Sequence, residues 1–428
     1  MSDFEKNRGK SMKKCVSAII VGALSVSLSL TGCMDNLSFI VKQGGETVSE
    51  ESVSSQELSS GEVEFNYQAP PKTEKPENNE PSTCMLSQSQ IDALVNNTDL
   101  ILTQYPDFSG TVLLSAGNRI IYEKSFGSTN GRGGENCDDT VYQIGSVTKQ
   151  FTGTAIFMLE KEGKLNVNDT LNTYFPEYNA EFLKQVTISQ LLQMTAGLGD
   201  YMTTIEGTQE ILDNYLKAAA KGEDEAKKFI VDVIINDGIY TDPGKVYTYS
   251  NSAYYLLGII IEQLSGMSYR EYLQTKFFDF ANMTNTFFAG DGRDNQTGYS
   301  YAQERFVSDN DDKYLKAEGD YPYLFSAGSV VSTVEDVDKW MRVVASDDIF
   351  TLSDRKKVES ALWCYNYGWN TGDNLWHHSG RTYTYSSQVY SDYKTDTHLV
   401  ILTNIAFYED LNEISYKIYL PLVNACKK

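Results

Sequence analysis

YQIGSVTKQF, at residues 142–151, is the stretch that decides the fold. Ser146 and Lys149 lie three residues apart in it, and apolar residues recur at helical spacing from Phe151 to Leu159, which predicts that both side chains share one helix face. A serine hydroxyl becomes a nucleophile when a nearby base takes its proton, and a desolvated lysine can be that base. Because S-x-x-K also occurs at three other places in the chain, the surrounding sequence must decide its meaning.

Two further short motifs follow. Tyr249-Ser250-Asn251 is the only Y-x-N in the chain and precedes an apolar helical stretch, so the phenol could relay protons while the amide binds a substrate carbonyl and contacts the lysine. The structural alternative is an asparagine helix cap beside a packed tyrosine.

His378-Ser379-Gly380 is the only H-x-G and follows a strand-like run; the histidine can hydrogen-bond near neutral pH, and the glycine permits close backbone approach. Its alternative is a surface imidazole at a strand end.

Secondary-structure signals change along the chain from strands to helices and back. The predicted elements are a helix at 87–105, strands at 110–114 and 119–123, helices between 146 and 346, strands between 367 and 402, and a helix at 411–423. Capping boxes at Thr187–Gln190 and Ser332–Glu335 predict two of the helix starts. Strands at both ends with helices between them predict an α+β fold with an antiparallel sheet.

The first 33 residues have the features of an export signal. Lysines precede an apolar run from Val16 to Leu30, which is short for a membrane span and ends in Leu30-Thr31-Gly32-Cys33. This ending resembles the bacterial lipobox and predicts that Cys33 becomes the lipidated first residue, anchoring the protein to the membrane at the cell surface. An uncleaved hydrophobic anchor is the alternative, and translation can start at Met1 or Met12.

Composition divides and limits the remaining chain. Residues 34–83 are rich in Ser, Glu, Pro and Gln, with few large apolar residues, and are therefore predicted to form a disordered tether. Residues 84–428 form the predicted folded domain. The formal net charge of −22 disfavours nucleic acid as a partner.

Taken in order, S-x-x-K, Y-x-N and H-x-G closely resemble the motifs of the serine β-lactamase-related and penicillin-binding-protein-like family. That family includes class C β-lactamases, D-alanyl-D-alanine carboxypeptidases and related esterases. The resemblance extends over roughly residues 86–425 and includes LLQMTAGL at 191–198 and FSAG at 325–328. It implies a β-lactamase/transpeptidase-like fold: an antiparallel sheet built from both chain ends and flanked by helices, with an inserted, mainly helical region. It implies no metal or organic cofactor.

The resemblance also implies a role for each site residue. Ser146 would be acylated, and Lys149 and Tyr249 would share general-base and general-acid work. Asn251 and the segment His378-Ser379-Gly380-Arg381 would bind substrate. The N–H groups of Ser146 and Arg381 would form the oxyanion hole.

The substrate is less closely defined by these motifs. Met194 stands where relatives often have histidine, and Arg381 replaces a usual small residue. Histidine in the third motif is common among carboxypeptidase-like and esterase-like members of the family, whereas lysine there suits the carboxylate of β-lactams. We therefore expect hydrolysis of peptides, amides or esters, possible substrates being D-Ala-D-Ala-type peptides of peptidoglycan, in preference to efficient β-lactamase activity. A substrate carboxylate would be recognised by Arg381 or by protonated His378.

Two hypotheses from other functional classes remain open. One is a catalytically degenerate surface protein that keeps the fold for binding or sensing, because fold does not determine function. The other is a wall-associated structural lipoprotein whose tether is the functional part. The intact Ser146, Lys149 and Tyr249 argue against the first.

The cysteines provide a test of the fold. Once the signal region is excluded, four cysteines face an oxidising compartment and allow three pairings: they are Cys84, Cys137, Cys364 and Cys426. The first and last helices should pack on the same sheet and bring the chain ends together. We therefore predict one disulfide, between Cys84 and Cys426.

Overall fold

The computed structural model describes residues 84–129, 134–291, 293, 321–372, 374–382, 385–405 and 410–427, and the backbone of three strands between 37 and 67. Contacts divide the chain into two units, Met1–Glu80 and Pro81–Lys428, and each is described by itself. The predicted signal peptide, its Cys33 and both candidate start methionines lie outside the described residues.

The first unit contains a small antiparallel sheet. β1 (Leu37–Gln43) pairs with β2 (Glu46–Thr47) on one side and with β3 (Glu62–Tyr67) on the other. These strands lie inside the segment 34–83 that composition predicts to be a disordered tether. The average composition of the segment gives no sign of them, because its strand-forming residues are concentrated in short runs. The remainder of that segment lies outside the described residues, and the domain boundary at residue 83 stays a prediction.

The second unit is built around a large antiparallel sheet. The strands of this unit are β4 (Gly110–Ala116), β5 (Arg119–Phe126), β6 (Tyr142–Gln143), β7 (Phe287–Phe288), β8 (Val330–Ser332), β9 (Tyr365–Asn366), β10 (Trp369–Gly372), β11 (Leu375–Arg381), β12 (Ser386–Asp392) and β13 (Thr397–Thr403). Seven of them form one sheet in the order β5-β4-β13-β12-β11-β10-β9. In this sheet Leu113 of β4 lies opposite Val400 of β13, so strands from the two chain ends are direct neighbours. This confirms the predicted α+β fold.

Helices fill most of the chain between the two groups of strands, and one further helix lies at each end of this unit. They are α1 (Gln88–Leu102), α2 (Thr148–Lys161), α3 (Ile188–Leu192), α4 (Tyr201–Gly207), α5 (Gln209–Ala219), α6 (Glu223–Asp237), α7 (Asn251–Ser265), α8 (Tyr269–Leu273), α9 (Tyr321–Gly328), α10 (Val334–Ala345), α11 (Leu352–Glu359) and α12 (Leu411–Cys426). The stretch from α2 to α10 is the predicted helical insertion. None of the helices in the described ranges is long and apolar enough to cross a bilayer.

The two predicted capping boxes have different outcomes. Thr187 caps α3 and exchanges hydrogen bonds with Gln190, as predicted. The prediction at Ser332 is wrong by one residue, because Thr333 is the cap and its side chain accepts from Asp336 N–H. Ser332 ends β8 and its hydroxyl contacts that of Thr286, so it already belongs to the three-stranded sheet of β6, β8 and β7.

Separate helical layers cover the two faces of the large sheet. Along β4, Val112 and Leu114 belong to the core beneath α1 and α12, whereas Leu113 between them belongs to the larger core that contains α2 and α7. This alternation follows from the two-residue period of a strand. The site motifs lie on the side of the larger core.

A disulfide joins the ends of the second unit. Cys84, just before α1, is bonded to Cys426 at the end of α12, with Cα atoms 5.0 Å apart. This confirms the predicted pairing. Cys137 and Cys364 keep their thiols.

Strong packing on both sides positions the turn that carries Ser146. β6, just before this turn, pairs with β8, and Ile144 N–H donates to Val330 O at 3.0 Å. On the other side, the buried Phe151 ring stacks on Trp340 with centroids 4.3 Å apart. The turn is therefore held between a short sheet and an aromatic core.

Candidate active site

Ser146 and Lys149 of the first motif are in direct contact. Ser146 lies in a 3-10 turn, Gly145–Val147, that leads into α2, and its side chain is half-buried. The predicted single helix is therefore a 3-10 turn followed by an α-helix, yet both side chains still meet. Lys149 Nζ lies 2.9 Å from Ser146 Oγ, and the lysine side chain is fully buried.

Two carbonyl oxygens determine how the Lys149 amine is oriented. Lys149 Nζ lies 2.8 Å from Asn251 Oδ1 and 2.7 Å from the main-chain oxygen of Ala327. Carbonyl oxygens only accept hydrogen bonds, so a neutral amine directs its two N–H bonds to them. Its lone pair then faces Ser146 Oγ, which is the arrangement that a general base requires.

Burial allows the Lys149 amine to be neutral near physiological pH. Burial lowers the pKa of Lys149 to about 7, and the negative charge of Asp200 partly opposes this effect. The rings of Tyr249 and Tyr254 lie 5.1 and 5.9 Å from Nζ, and they complete an environment poor in water. Lys149 therefore exchanges its proton in the range where a catalytic base operates.

Tyr249 presents its hydroxyl at the same centre. The hydroxyl is buried and lies close to the Ser146 side chain. Burial raises the pKa of the phenol well above its usual range, although the nearby Ser146 hydroxyl acts in the opposite direction. Tyr249 is therefore a neutral phenol that can pass a proton on and is not available as a phenolate base.

Asn251 is held by a residue that the motifs do not include. It is the first residue of α7, and both its main-chain N–H and its Nδ2 donate to Asp200 Oδ2, at 2.9 and 2.8 Å. The alternative that Asn251 caps the helix is wrong, because Ser250 occupies the cap position. The Asn251 amide instead connects Asp200 to Lys149.

His378 is a buried neutral residue. Its Nδ1 lies 2.5 Å from the main-chain oxygen of Ser379, which can only accept, so Nδ1 carries the proton and Nε2 accepts from the Tyr365 hydroxyl at 3.0 Å. Burial, with the charge of Lys149, lowers the pKa of His378 to about 3. This corrects two sequence-based alternatives: His378 is not a surface imidazole, and it does not carry a charge that would bind a substrate carboxylate near neutral pH.

The rest of the third motif lies beside the Ser146 turn. Gly145 has φ of +51°, and a Cβ there would lie 2.6 Å from Arg381 N; a Cβ on Gly380 would lie 1.9 Å from Ile144 O. Glycine at both positions therefore allows the end of β11 to approach the turn and brings Arg381 N–H close to Ser146. Ser379 is half-buried and the Arg381 side chain is exposed.

Sequence reasoning missed three groups at this site. Asp200 ends the loop after LLQMTAGL, where a Gly-Asp-Tyr sequence offers only the weak signal of a helix cap. Tyr365 is one of 29 tyrosines. The Ala327 carbonyl belongs to the main chain, and its placement follows the kink at Phe325, whose φ of +38° is rare for a side chain of that size.

Met194, the departure from the family pattern, also contacts the second motif. Its sulfur accepts from Ser250 N–H at 3.4 Å, and its own backbone has φ of +57°. Among the described residues, there is no group of three or more His, Cys, Asp or Glu side chains that could hold a metal ion.

Comparison with known proteins gives a consistent result. A family model described as Beta-lactamase matches residues 99–419. The chain is similar to Protein flp of Staphylococcus aureus (strain NCTC 8325 / PS 47), with 26% identity over 343 residues that cover 74% of this chain and 63% of that protein. The chain therefore spans less than two thirds of the length of this relative.

Solved structures share the fold. A D-amino acid amidase from Ochrobactrum anthropi SV3 has a TM-score of 0.64 and 18% identity, over 79% of this chain and 99% of that chain. The octameric penicillin-binding protein homologue from Pyrococcus abyssi has a TM-score of 0.61 and 22% identity, over 80% of this chain and 78% of that chain. At these identities the likeness concerns the fold alone.

Proposed function

Because the chain belongs to the beta-lactamase family, we propose that it is an exported serine hydrolase that cleaves peptide, amide or ester bonds through an acyl-Ser146 intermediate. One observation carries the proposal. The buried Lys149 amine has two carbonyl acceptors and the Ser146 hydroxyl as neighbours, so its neutral form directs a lone pair at the nucleophile.

Acylation begins with proton transfer from Ser146 Oγ to Lys149 Nζ across 2.9 Å. The oxygen then bonds to the substrate carbonyl carbon, and the carbonyl oxygen becomes an oxyanion. The N–H groups of Ser146 and Arg381, which Gly145 and Gly380 bring close together, stabilise this charge.

Departure of the leaving group needs a proton. The neutral Tyr249 phenol gives its proton to the leaving amine or alcohol and receives one from the Lys149 ammonium, whose nitrogen lies 5.1 Å from the ring centre. Deacylation reverses this path: a water gives its proton through Tyr249 to Lys149, its oxygen attacks the acyl carbon, and Ser146 recovers its proton.

The substrate preference follows from charge near the site. His378 is neutral, so it offers hydrogen bonding and shape without ionic attraction. The exposed Arg381 side chain is then the cation that would attract a substrate carboxylate. We therefore favour a carboxypeptidase-like or esterase-like enzyme over an efficient β-lactamase, with peptidoglycan peptides as candidate substrates. A D-amino acid amidase shares the fold, which supports including amides.

A cell-surface location, which is itself a proposal, would suit the same class of substrate. The Leu30-Thr31-Gly32-Cys33 sequence is the basis for proposing a lipid anchor and a cell-surface position, where wall peptides would be accessible. The alternative of a degenerate binding or sensing protein would keep the fold without turnover.

Turnover assays distinguish the enzyme from the binding protein. We expect the purified protein to hydrolyse at least one of p-nitrophenyl acetate, a D-Ala-D-Ala peptide and a D-amino acid amide, and Ser146→Ala to abolish that activity. Ser353→Ala is the matched control, because Ser353 is exposed and begins another S-x-x-K sequence, on α11. Absence of turnover on the panel, or equal activity in Ser146→Ala, would contradict the proposal.

A further inference from the structure

We propose that Asp200 is a positioning residue of this active site, which fixes the Asn251 amide so that its oxygen faces Lys149 and sets the pH at which Lys149 becomes a base. The inference deepens the proposed function and rests on it. Its physical basis is the way the two carboxylate oxygens of Asp200 are used.

The two carboxylate oxygens have different partners. Oδ1 accepts from Met202 N–H at 3.0 Å, which is an ordinary helix cap for α4. Oδ2 accepts from both nitrogens of Asn251, at 2.9 and 2.8 Å. A cap alone would need only the first oxygen, so the second is available to hold Asn251.

This second contact determines which way the Asn251 amide points. A carboxylate only accepts hydrogen bonds, so the side of the amide that faces Asp200 must be the NH₂ group. The amide oxygen is therefore directed at Lys149 Nζ, 2.8 Å away. A reversed amide would place NH₂ against the amine and remove one of the two acceptors that orient its lone pair.

The loop that carries Asp200 is tied to the start of α7 at three successive positions. Ser250 Oγ donates to Gly199 O at 2.8 Å, and Tyr201 N–H donates to Ser252 Oγ at 2.9 Å. The Asp200–Asn251 pair lies between these two contacts. Two serine hydroxyls at the start of α7, each bonded to the main chain of the loop, thus hold the carboxylate in register with the amide.

Asp200 also acts on Lys149 through charge. Desolvation raises the pKa of Asp200 from its usual range, while contact with Asn251 and the charge of Lys149 favour its ionised form. Ionised Asp200 favours the ammonium form of Lys149. The other ionisable groups around this pair are Tyr201, Tyr249, Tyr254 and His378.

Those four groups do not titrate between about pH 5 and pH 9. Burial keeps the three phenols neutral because it raises their pKa values above the usual range, and it keeps His378 neutral because it lowers its pKa to about 3. A change in the pH profile over that interval therefore reports on Lys149 and Asp200.

Asp200→Asn is the informative substitution. An amide offers one acceptor and one donor, so it cannot accept from both Met202 N–H and the two nitrogens of Asn251. We expect the limiting rate at which a fluorophosphonate probe labels Ser146 to fall by about tenfold, since a hydrogen bond to a charged group has been lost. The midpoint of the rate's pH profile should move to lower pH, because removing the negative charge favours neutral Lys149.

A double variant should shift the midpoint of the pH profile in the opposite direction, which a folding defect caused by Asp200→Asn would not explain. In Asp200→Asn with Asn251→Asp, the negative charge moves into direct contact with Lys149, so the midpoint should rise above that of the wild type. Asp237→Asn is the matched control, because Asp237 accepts a hydrogen bond from Thr204 of α4 and none from Asn251 or Lys149; its midpoint should equal that of the wild type.

The outcomes separate the inference from the proposed function. If the wild type labels at Ser146 but Asp200→Asn keeps the wild-type midpoint and limiting rate, the role of Asp200 is refuted and the hydrolase proposal stands. A lowered midpoint in the double variant would likewise refute the role of Asp200 alone. If the wild type does not label at Ser146, the proposed function fails and the inference fails with it.

Discussion

Changing the pH should control acylation of Ser146 mainly through the protonation of the Lys149 side chain. Only the neutral amine can take the serine proton, so the acylation rate should rise with pH as the ammonium is lost. Burial lowers the Lys149 pKa to about 7. The neutral fraction is then about 1% near pH 5 and about 90% near pH 8, which predicts a roughly 90-fold rise in rate.

An ordinary exposed lysine would behave differently. With the reference pKa of 10.5, the neutral fraction near pH 8 would be only about 0.3%, so burial increases the amount of available base by about 300-fold. The assay is the rate of labelling by a fluorophosphonate, followed by intact mass at each pH. Lys149→Arg is the control, because an arginine stays charged throughout and should label extremely slowly.

Two results would refute this reasoning. A flat profile between about pH 5 and pH 8 would mean that Lys149 does not limit acylation, and a midpoint above about pH 9 would mean that it is not desolvated. His378 does not interfere in this interval, because burial lowers its pKa to about 3. The Asp200→Asn profile identifies any contribution from that carboxyl.

Three further predictions concern other parts of the molecule. Tyr249→Phe should slow turnover by about a hundred- to ten-thousandfold with an unchanged circular dichroism spectrum, since proton relay is lost and the buried ring remains; near-native turnover would remove its role. Arg381→Ala should raise KM for carboxylate-bearing peptides and leave neutral esters nearly unaffected, because only the former lose an ionic contact; equal effects on both would favour a simple esterase. Replacing both Cys84 and Cys426 by serine should lower the free energy of unfolding by about 2–5 kcal/mol in denaturant titrations, because the bond spans 342 residues. Activity should persist, since Cys426 belongs to the core on the face of the sheet away from Ser146 and Cys84 packs against that core; loss of activity in the folded variant would contradict this separation.

The sheet and the disulfide were predictable from the sequence because local signals and chain topology agree. Alternating apolar residues and a turn mark the β4–β5 hairpin, and the return to strands near the end of the chain supplies its partner, β13. Once both chain ends lie in one sheet, Cys84 and Cys426 are brought together. The helix cap at Thr333 was misplaced because Ser332 and Thr333 are chemically similar, and only the pairing of β8 distinguishes them.

At the site, the motifs identified the groups that meet but not what surrounds them. Ser146, Lys149 and Asn251 are in hydrogen-bond contact, as their residue types suggested. Asp200 lies 51 residues before Asn251 in sequence, and its contact arises from packing of a loop onto α7, for which no local pattern exists. The neutral state of His378 likewise follows from its burial in the folded protein, and only the folded β9–β11 region places Tyr365 at 3.0 Å from its ring.

The central claim is that Ser146 carries the acyl group during turnover. The most direct test is to let the protein turn over p-nitrophenyl acetate, to stop the reaction with acid, and to locate the acetyl group by peptide mass spectrometry. We expect one acetyl group, on the peptide containing Ser146, with no adduct in Ser146→Ala and an unchanged adduct in Ser353→Ala. An acetyl group that maps to another residue, or that persists in Ser146→Ala, would contradict the claim.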